Sequence, residues 1–295
     1  MRIHLLVNTH RADAFAAAKE TVRSLRERQV VIAADPESAG LLGVESMGLR
    51  ALSEADLMVC FGGDGTLIRA ADICSEFGTP ILGVYFGRFG FVTQCDPHEV
   101  GSCLSGFFDG TACFEERMML QTDLLRATQA IASLHCLNEM ALQRAITTRM
   151  LVFSVEVDGH HLTSYPADGV MVSTPTGSTA YNLSAGGPIM DPGVRALTLT
   201  AIAPHTLSAR PLILRPDSEV RLTVQTEGDA ILSADGQTRL HLLSGDLVKV
   251  TKSPRVTRLL CVDPNDFLRK LAQRLFWSFS IMGDTPPDRS YIDRG

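Results

Sequence analysis

The sequence predicts an α/β amino-terminal domain built on a parallel sheet, then a β-rich domain, then a carboxy-terminal helix that packs back. Three observations predict it. In the first third, short apolar runs alternate with helical patterns, the rhythm of βαβ units. From about residue 114 the runs become strand-like, and several alternate apolar and polar residues. After residue 262 helical spacing returns. The implied divisions are 1–95, 96–262 and 263–295, with the first boundary near "TQCDPHEV" (93–100).

Each element follows from its own pattern. "RIHLLVN" (2–8), "VVIAA" (30–34), "DLMVCFG" (56–62) and "PILGVYFG" (80–87) read as buried parallel strands. The first helix, 13–27, carries Phe15, Ala18, Val22 and Leu25 on one stripe, with Asp13 placed to cap it. A second helix is expected over 65–77. Later come "RMLVFSVEVDGHHLTSY" (149–165), "EVRLTVQT" (219–226) and "DLVKVTK" (246–252). In the second of these Val220, Leu222 and Val224 alternate with Arg221, Thr223 and Gln225, which predicts antiparallel strands. His160 and His161 follow "VDG" in a hairpin turn and read as solvated, not as ligands. The closing helical spacing, over 263–277, runs through Phe267, Leu268, Leu271 and Leu275.

Composition narrows the class. The chain has 295 residues, 45% hydrophobic and 20% charged, enough for a sizeable core and about two domains. No apolar run is long enough to span a bilayer, and the amino terminus lacks the features of a signal peptide, so a cytoplasmic, membrane-free protein is expected. The seven cysteines are odd in number, widely spaced and free of C-x-x-C, which favours reduced, mostly buried thiols over a disulfide framework or zinc site. A net charge of −6 without a long basic run argues against nucleic acid as partner.

Two stretches carry chemistry. "FGGDGTLIRAAD" (61–72) places three glycines around Asp64 where a strand gives way to a helix. Glycines let phosphate approach backbone N–H groups, and the helix start adds partial positive charge. A bare strand-to-helix connection would also use such a turn. The spacing matches neither a Walker A loop nor G-x-G-x-x-G. An aspartate in this setting suits a hydroxyl acceptor that takes a proton during phosphoryl transfer. The second stretch, "ADGVMVSTPTGSTAYNLSAGGPIMDP" (167–192), opens from an apolar strand into a long Ser/Thr/Gly/Pro run around Tyr181. Loops of that length are usually functional, although several Ser/Thr helix caps would read alike. Asn182 stands two residues before Ser184, so the hydrolase elbow G-x-S-x-G is absent.

Together with "GRFGF" (87–91), "LNE" (137–139), "APHTLSARPLIL" (203–214) and "DGQ" (235–237), these blocks resemble, in order and spacing, those of bacterial NAD kinases over residues 55 to 260. The resemblance implies ATP-dependent conversion of NAD to NADP, a divalent cation (Mg²⁺) on the donor phosphates, and a homo-oligomer, dimer or tetramer. Asp64 then resembles the proton acceptor for the adenosine 2′-hydroxyl. Gly62, Gly63, Gly65 and Thr66 share its motif, and Arg69 matches a phosphate-contacting position. Asn138 and Glu139 resemble a pair that holds NAD. Arg149, Asp168, the run Thr179, Ala180, Tyr181, Asn182 and Ser184, and Gln237 align with ligand-contacting positions. Tyr85 replaces a common Asn, Pro166 a common Arg, and "VNTHRAD" (7–13) lacks a common proline and receives no role. Two alternatives stand beside this reading. One is a lipid or sugar kinase sharing "GGDGT", and the other a non-catalytic NAD(P)-binding regulator.

Overall fold

The computed structural model describes residues 1–87, 90–127, 129–145, 151–224, 230–263 and 266–275. The first third folds as its periodicity requires: β1 (Arg2–Val7), α1 (Ala12–Glu27), β2 (Val31–Ala34), α2 (Pro36–Leu42), β3 (Glu45–Ser46), α3 (Leu49–Leu52), β4 (Leu57–Phe61), α4 (Asp64–Cys74) and β5 (Ile81–Val84). α5 (Val100–Phe108) then leads into the β-rich part. In α1 the buried side is Ala14, Ala18, Thr21, Val22 and Leu25, close to the expected stripe. Asp13 does not cap that helix. The helix starts at Ala12, and Asp13 lies in its first turn, ion-paired to Arg11 at 2.8 Å.

Strand order among these elements sets where a ligand binds. β1 pairs in parallel with β2 on one side and β4 on the other. β3 continues outward from β2, and β5 outward from β4, so chain order reverses between β1 and β4. In open α/β sheets ligands bind outside the carboxyl ends of the strands at such a reversal. Apolar side chains cover both faces. Ile3, Leu5, Val59 and Phe61 pack with α1, α2 and α5, while Leu6, Met58 and Cys60 pack with Leu52 of α3 and Leu67, Ala70 and Ala71 of α4.

The β-rich part comprises β6 (Cys113–Arg126), β7 (Gln129–Cys136), β8 (Glu139–Arg144), β9 (Leu151–Val157), β10 (His160–Ala167), β11 (Gly169–Ser173), β12 (Leu197–Ile202), β13 (Leu212–Leu214), β14 (Val220–Val224), β15 (Ala230–Ala234), β16 (Thr238–Leu242) and β17 (Leu247–Cys261), with the one-turn helix α6 (Tyr181–Ser184) after β11. Among the described residues, β13-β12-β11-β8-β15-β16 form one antiparallel sheet. β17 belongs to the other sheet: its first half pairs with β14, its end with β5, and its whole length with β6. Pro254, which has no N–H to donate, sits where the β17–β6 register shifts between Lys252 and Val256. Phe153, Val155, Leu222 and Val250 meet Leu142, Val172 and Leu199 in the core between the two sheets. β17 joins β5, so one continuous sheet runs through both parts, and α5, beyond residue 95, still packs on its parallel side. Residues 1–262 are one compact unit and 263–295 another, whose described part contains α7 (Asp266–Arg274). Among the described residues no helix is long and apolar enough to cross a membrane. Cys60, Cys74, Cys95 and Cys136 are buried free thiols.

Candidate active site

β4 ends at Phe61, and the residue after it must be small. A Cβ on Gly62 would overlap the Thr66 side chain, whereas Gly63 and Gly65 face open space. Gly63 is the extended residue before α4, and no side chain among the described residues caps this helix. Its leading N–H groups and dipole therefore face outward, toward anions.

Asp64 is the first residue of α4, not the tip of a loop. Its carboxylate is held by the segment after β5: Oδ2 accepts the Phe91 N–H at 2.8 Å, while Oδ1 accepts the Thr93 N–H and hydroxyl, each at 3.0 Å. The Val92 N–H adds a longer contact to Oδ1 at 3.4 Å. A Cβ on Gly90 would overlap the carboxylate, which explains the glycine in that segment. Arg88 and Phe89 of "GRFGF" lie outside the described residues. Oδ1 is crowded, but Oδ2 keeps lone-pair capacity for one more donor.

A cavity of about 590 Å³ opens where the strand order reverses. Gly63, Gly65, Thr66, Arg69 and Gln237 line it, and these five sequence-identified residues come together there. The remaining wall is Leu6 to Arg11 and Glu37, to which the sequence reading gave no role. The signal that finds them is topological, since the turns after β1 and β2 flank the reversal.

The second group is assembled by the "DGQ" turn between β15 and β16. Asp235 and Gly236 have φ of 50° and 69°, the left-handed pair that an Asp-Gly turn favours. The half-buried Asp235 carboxylate accepts the N–H groups of Leu137, Asn138 and Glu139 at 2.7 to 3.0 Å. Gln237 of the same turn donates from Nε2 to the Gly65 carbonyl at 3.3 Å. One turn thus positions both the Asn-Glu pair and the start of α4, and Asp235 is the positioning residue that motif reading missed.

Asn138 and Glu139 are buried, yet among the described residues Asn138 Oδ1 and Glu139 Oε2 have no hydrogen-bond partner. Two adjacent buried acceptors without donors are costly, and a ligand bearing hydroxyl or amino donors would relieve them. Burial and then the neighbouring Asp235 push the Glu139 carboxyl up to about 8, against a hydrogen bond from the Tyr181 N–H that lowers it. Burial also lifts Asp235 to about 6 despite its three N–H donors. Gly177 lies so close to Asn138 that a Cβ would overlap its carbonyl, and the Thr174 hydroxyl donates to the Leu137 carbonyl at 2.6 Å. The run from Ser173 to Tyr181 is thereby pressed against the Asn-Glu pair.

Tyr181 is half-exposed, its hydroxyl 3.4 Å from Gln143 Oε1, and its pKa is raised by burial and then by Glu139 and Asp168. Asp168 is ion-paired with Arg144 at 3.1 Å. Asn182 differs from expectation. It is fully buried, donating to the Ser178 and Pro188 carbonyls and accepting the Thr200 hydroxyl at 2.8 Å, so its side chain is spent on shaping the loop. The Thr179 hydroxyl donates to the Thr176 carbonyl, Ala180 is half-buried, and Ser184 is exposed. Arg149 lies outside the described residues. Among the described residues no cluster of three or more His, Cys, Asp or Glu is arranged to hold a metal ion.

Two family models match the chain: the ATP-NAD kinase N-terminal domain over residues 3–112 and the ATP-NAD kinase C-terminal domain over residues 137–262. The NAD kinase of Moorella thermoacetica is 36% identical over 289 residues, covering 97% of this chain and 93% of that protein. That of Desulforamulus reducens is 36% identical over 277 residues, covering 92% and 96%. Among solved structures, yeast NADH kinase complexed with NADH superposes with a TM-score of 0.90 at 26% identity, covering 97% of this chain and 90% of that one. An NAD kinase from Archaeoglobus fulgidus in complex with ATP shares the fold, with a TM-score of 0.74 at 23% identity over 94% and 99%.

Proposed function

The chain belongs to the NAD kinase family, and on that premise we propose residue roles for its reaction, the transfer of a phosphoryl group from ATP to the adenosine 2′-hydroxyl of NAD to give NADP. The enzyme is a phosphotransferase with an alcohol acceptor. In such transfers the protein acts mainly by positioning and by stabilising charge. The open start of α4, with Arg69 on the same wall, suits the donor phosphates. Asn138 and Glu139, each with an unspent buried acceptor, suit the dinucleotide. Asp64 orients the acceptor hydroxyl through the free capacity of Oδ2 and takes its proton.

The observation that carries this assignment is the Asp64 carboxylate, fixed by two backbone N–H groups and a hydroxyl at the first turn of an uncapped helix beside the strand-order reversal. Mg²⁺ fits as an ion carried by the donor phosphates. Mg²⁺ is commonly held by substrate phosphates and water with few protein carboxylates. When bound it neutralises phosphate charge. Buried free thiols support a reducing, cytoplasmic location, and the family resemblance supports a dimer or tetramer, which light scattering would test.

The activity is tested with purified protein, NAD, ATP and Mg²⁺, reading NADP with an NADP-specific dehydrogenase. Turnover is expected; binding of NAD without turnover would instead identify a regulator. NADH belongs in the same assay, because the yeast relative was solved with NADH and Pro166 leaves its position without a cation.

A further inference from the structure

The carboxylate on the cavity wall is not explained by phosphate binding, since it repels phosphates. Glu37 lies at the start of α2, directly after β2, whereas Arg69 and the open start of α4 follow β4 on the far side of β1. Neighbouring strands are about 4.8 Å apart, so the ends of β2 and β4 are separated by roughly 10 Å. That separation is comparable with the reach from the terminal phosphate of a nucleoside triphosphate to its ribose. Glu37 Oε1 accepts the Thr9 hydroxyl at 2.6 Å, and Oε2 has no hydrogen-bond partner among the described residues. An ionised carboxylate is an acceptor only, so its complement is a hydroxyl donor.

We propose that Glu37 accepts a hydrogen bond from a ribose hydroxyl of the phosphoryl donor, that Thr9 holds the carboxylate in register, and that the pair selects ribonucleoside triphosphates over donors lacking that hydroxyl. The inference rests on reading this cavity as the donor site. A metal role for Glu37 fits less well: an ion bridging the terminal phosphates belongs at the α4 end, two strands away, and one Glu37 oxygen is already engaged by a neutral donor.

The test is a donor series at saturating NAD: ATP, 2′-deoxyATP and 3′-deoxyATP, with the wild type and Glu37→Ala. A hydrogen bond to a charged group makes at least one deoxy donor about 10- to 100-fold poorer in kcat/KM for the wild type. Glu37→Ala should bring the three donors within about threefold of one another, through loss of ATP activity alone, and leave the KM for NAD unchanged. Glu37 is exposed, so its melting temperature should be retained. Equal use of all three donors by the wild type would overturn the proposal without recourse to any variant. Undiminished discrimination in Glu37→Ala, or a raised Mg²⁺ requirement in place of lost discrimination, would overturn it too. Those outcomes leave the kinase reading intact, whereas no turnover with ATP at all would remove both.

Discussion

The Asp64 carboxylate anchors the 90–93 segment and keeps capacity on Oδ2 for the acceptor hydroxyl proposed above. Asp64→Asn should therefore lower kcat by about 10²- to 10⁴-fold, the span of a general base. It should also lower the melting temperature, because an amide nitrogen would face N–H donors and strand a buried polar group at about 1–3 kcal/mol. Steady-state kinetics and thermal denaturation read the two effects separately, and near-normal turnover would take Asp64 out of the chemistry. Glu139 and Asp235 give a pH signature. Their carboxyls rise from 4.5 to about 8 and from 3.8 to about 6, so between those values the native state keeps protons that the unfolded chain releases. Stability therefore falls as pH rises through that window. Glu139→Gln, which cannot ionise, should melt higher than the wild type at pH 8 and about equally at pH 4, and a gap that narrows with rising pH would contradict the assignment. The motif marked Asp64 and Glu139 in the sequence, but nothing local marked Asp235, whose three N–H partners lie about a hundred positions earlier.

At the scale of elements, periodicity and turn chemistry were the legible signals. The alternation in β14 appears as buried Val220, Leu222 and Val224. Asp158 and Gly159, at φ of 51° and 80°, make the turn that sets β9 against β10 and places His160 and His161 at its exit. Asp13 misled because an acidic residue before an apolar stripe fits a cap and a first-turn ion pair equally well, and Arg11 decided for the pair. Asn182 misled because its motif position gives no account of burial: its amide closes the loop between Ser178 and Pro188. The same close packing yields a prediction. Gly177→Ala pushes a methyl group into the Asn138 carbonyl, so the KM for NAD should rise about tenfold or more while that for ATP stays near the wild-type value. Initial rates with each substrate varied in turn decide it, and a selective effect on ATP would exchange the two subsites.

Over the whole molecule, the class of each half was readable and their junction was not. The β5–β17 contact joins residues 81 and 259, and no local pattern announces a pairing at that separation. The cavity wall from Asn8 to Arg11 went unread for a similar reason, because its meaning lies in the order β2-β1-β4 and not in its own residue types. That order, the Asn-Glu pair with unspent acceptors and the Asp64 carboxylate converge on one claim, that the acceptor is the adenosine 2′-hydroxyl presented to Asp64. NAD lacking only that hydroxyl tests it most directly. With ATP and Mg²⁺, 2′-deoxyadenosine NAD should compete with NAD and yield no phosphorylated dinucleotide by chromatography and mass spectrometry, because general-base transfer needs the hydroxyl oxygen within about 3 Å of the carboxylate. A phosphorylated product from that analogue would contradict the account.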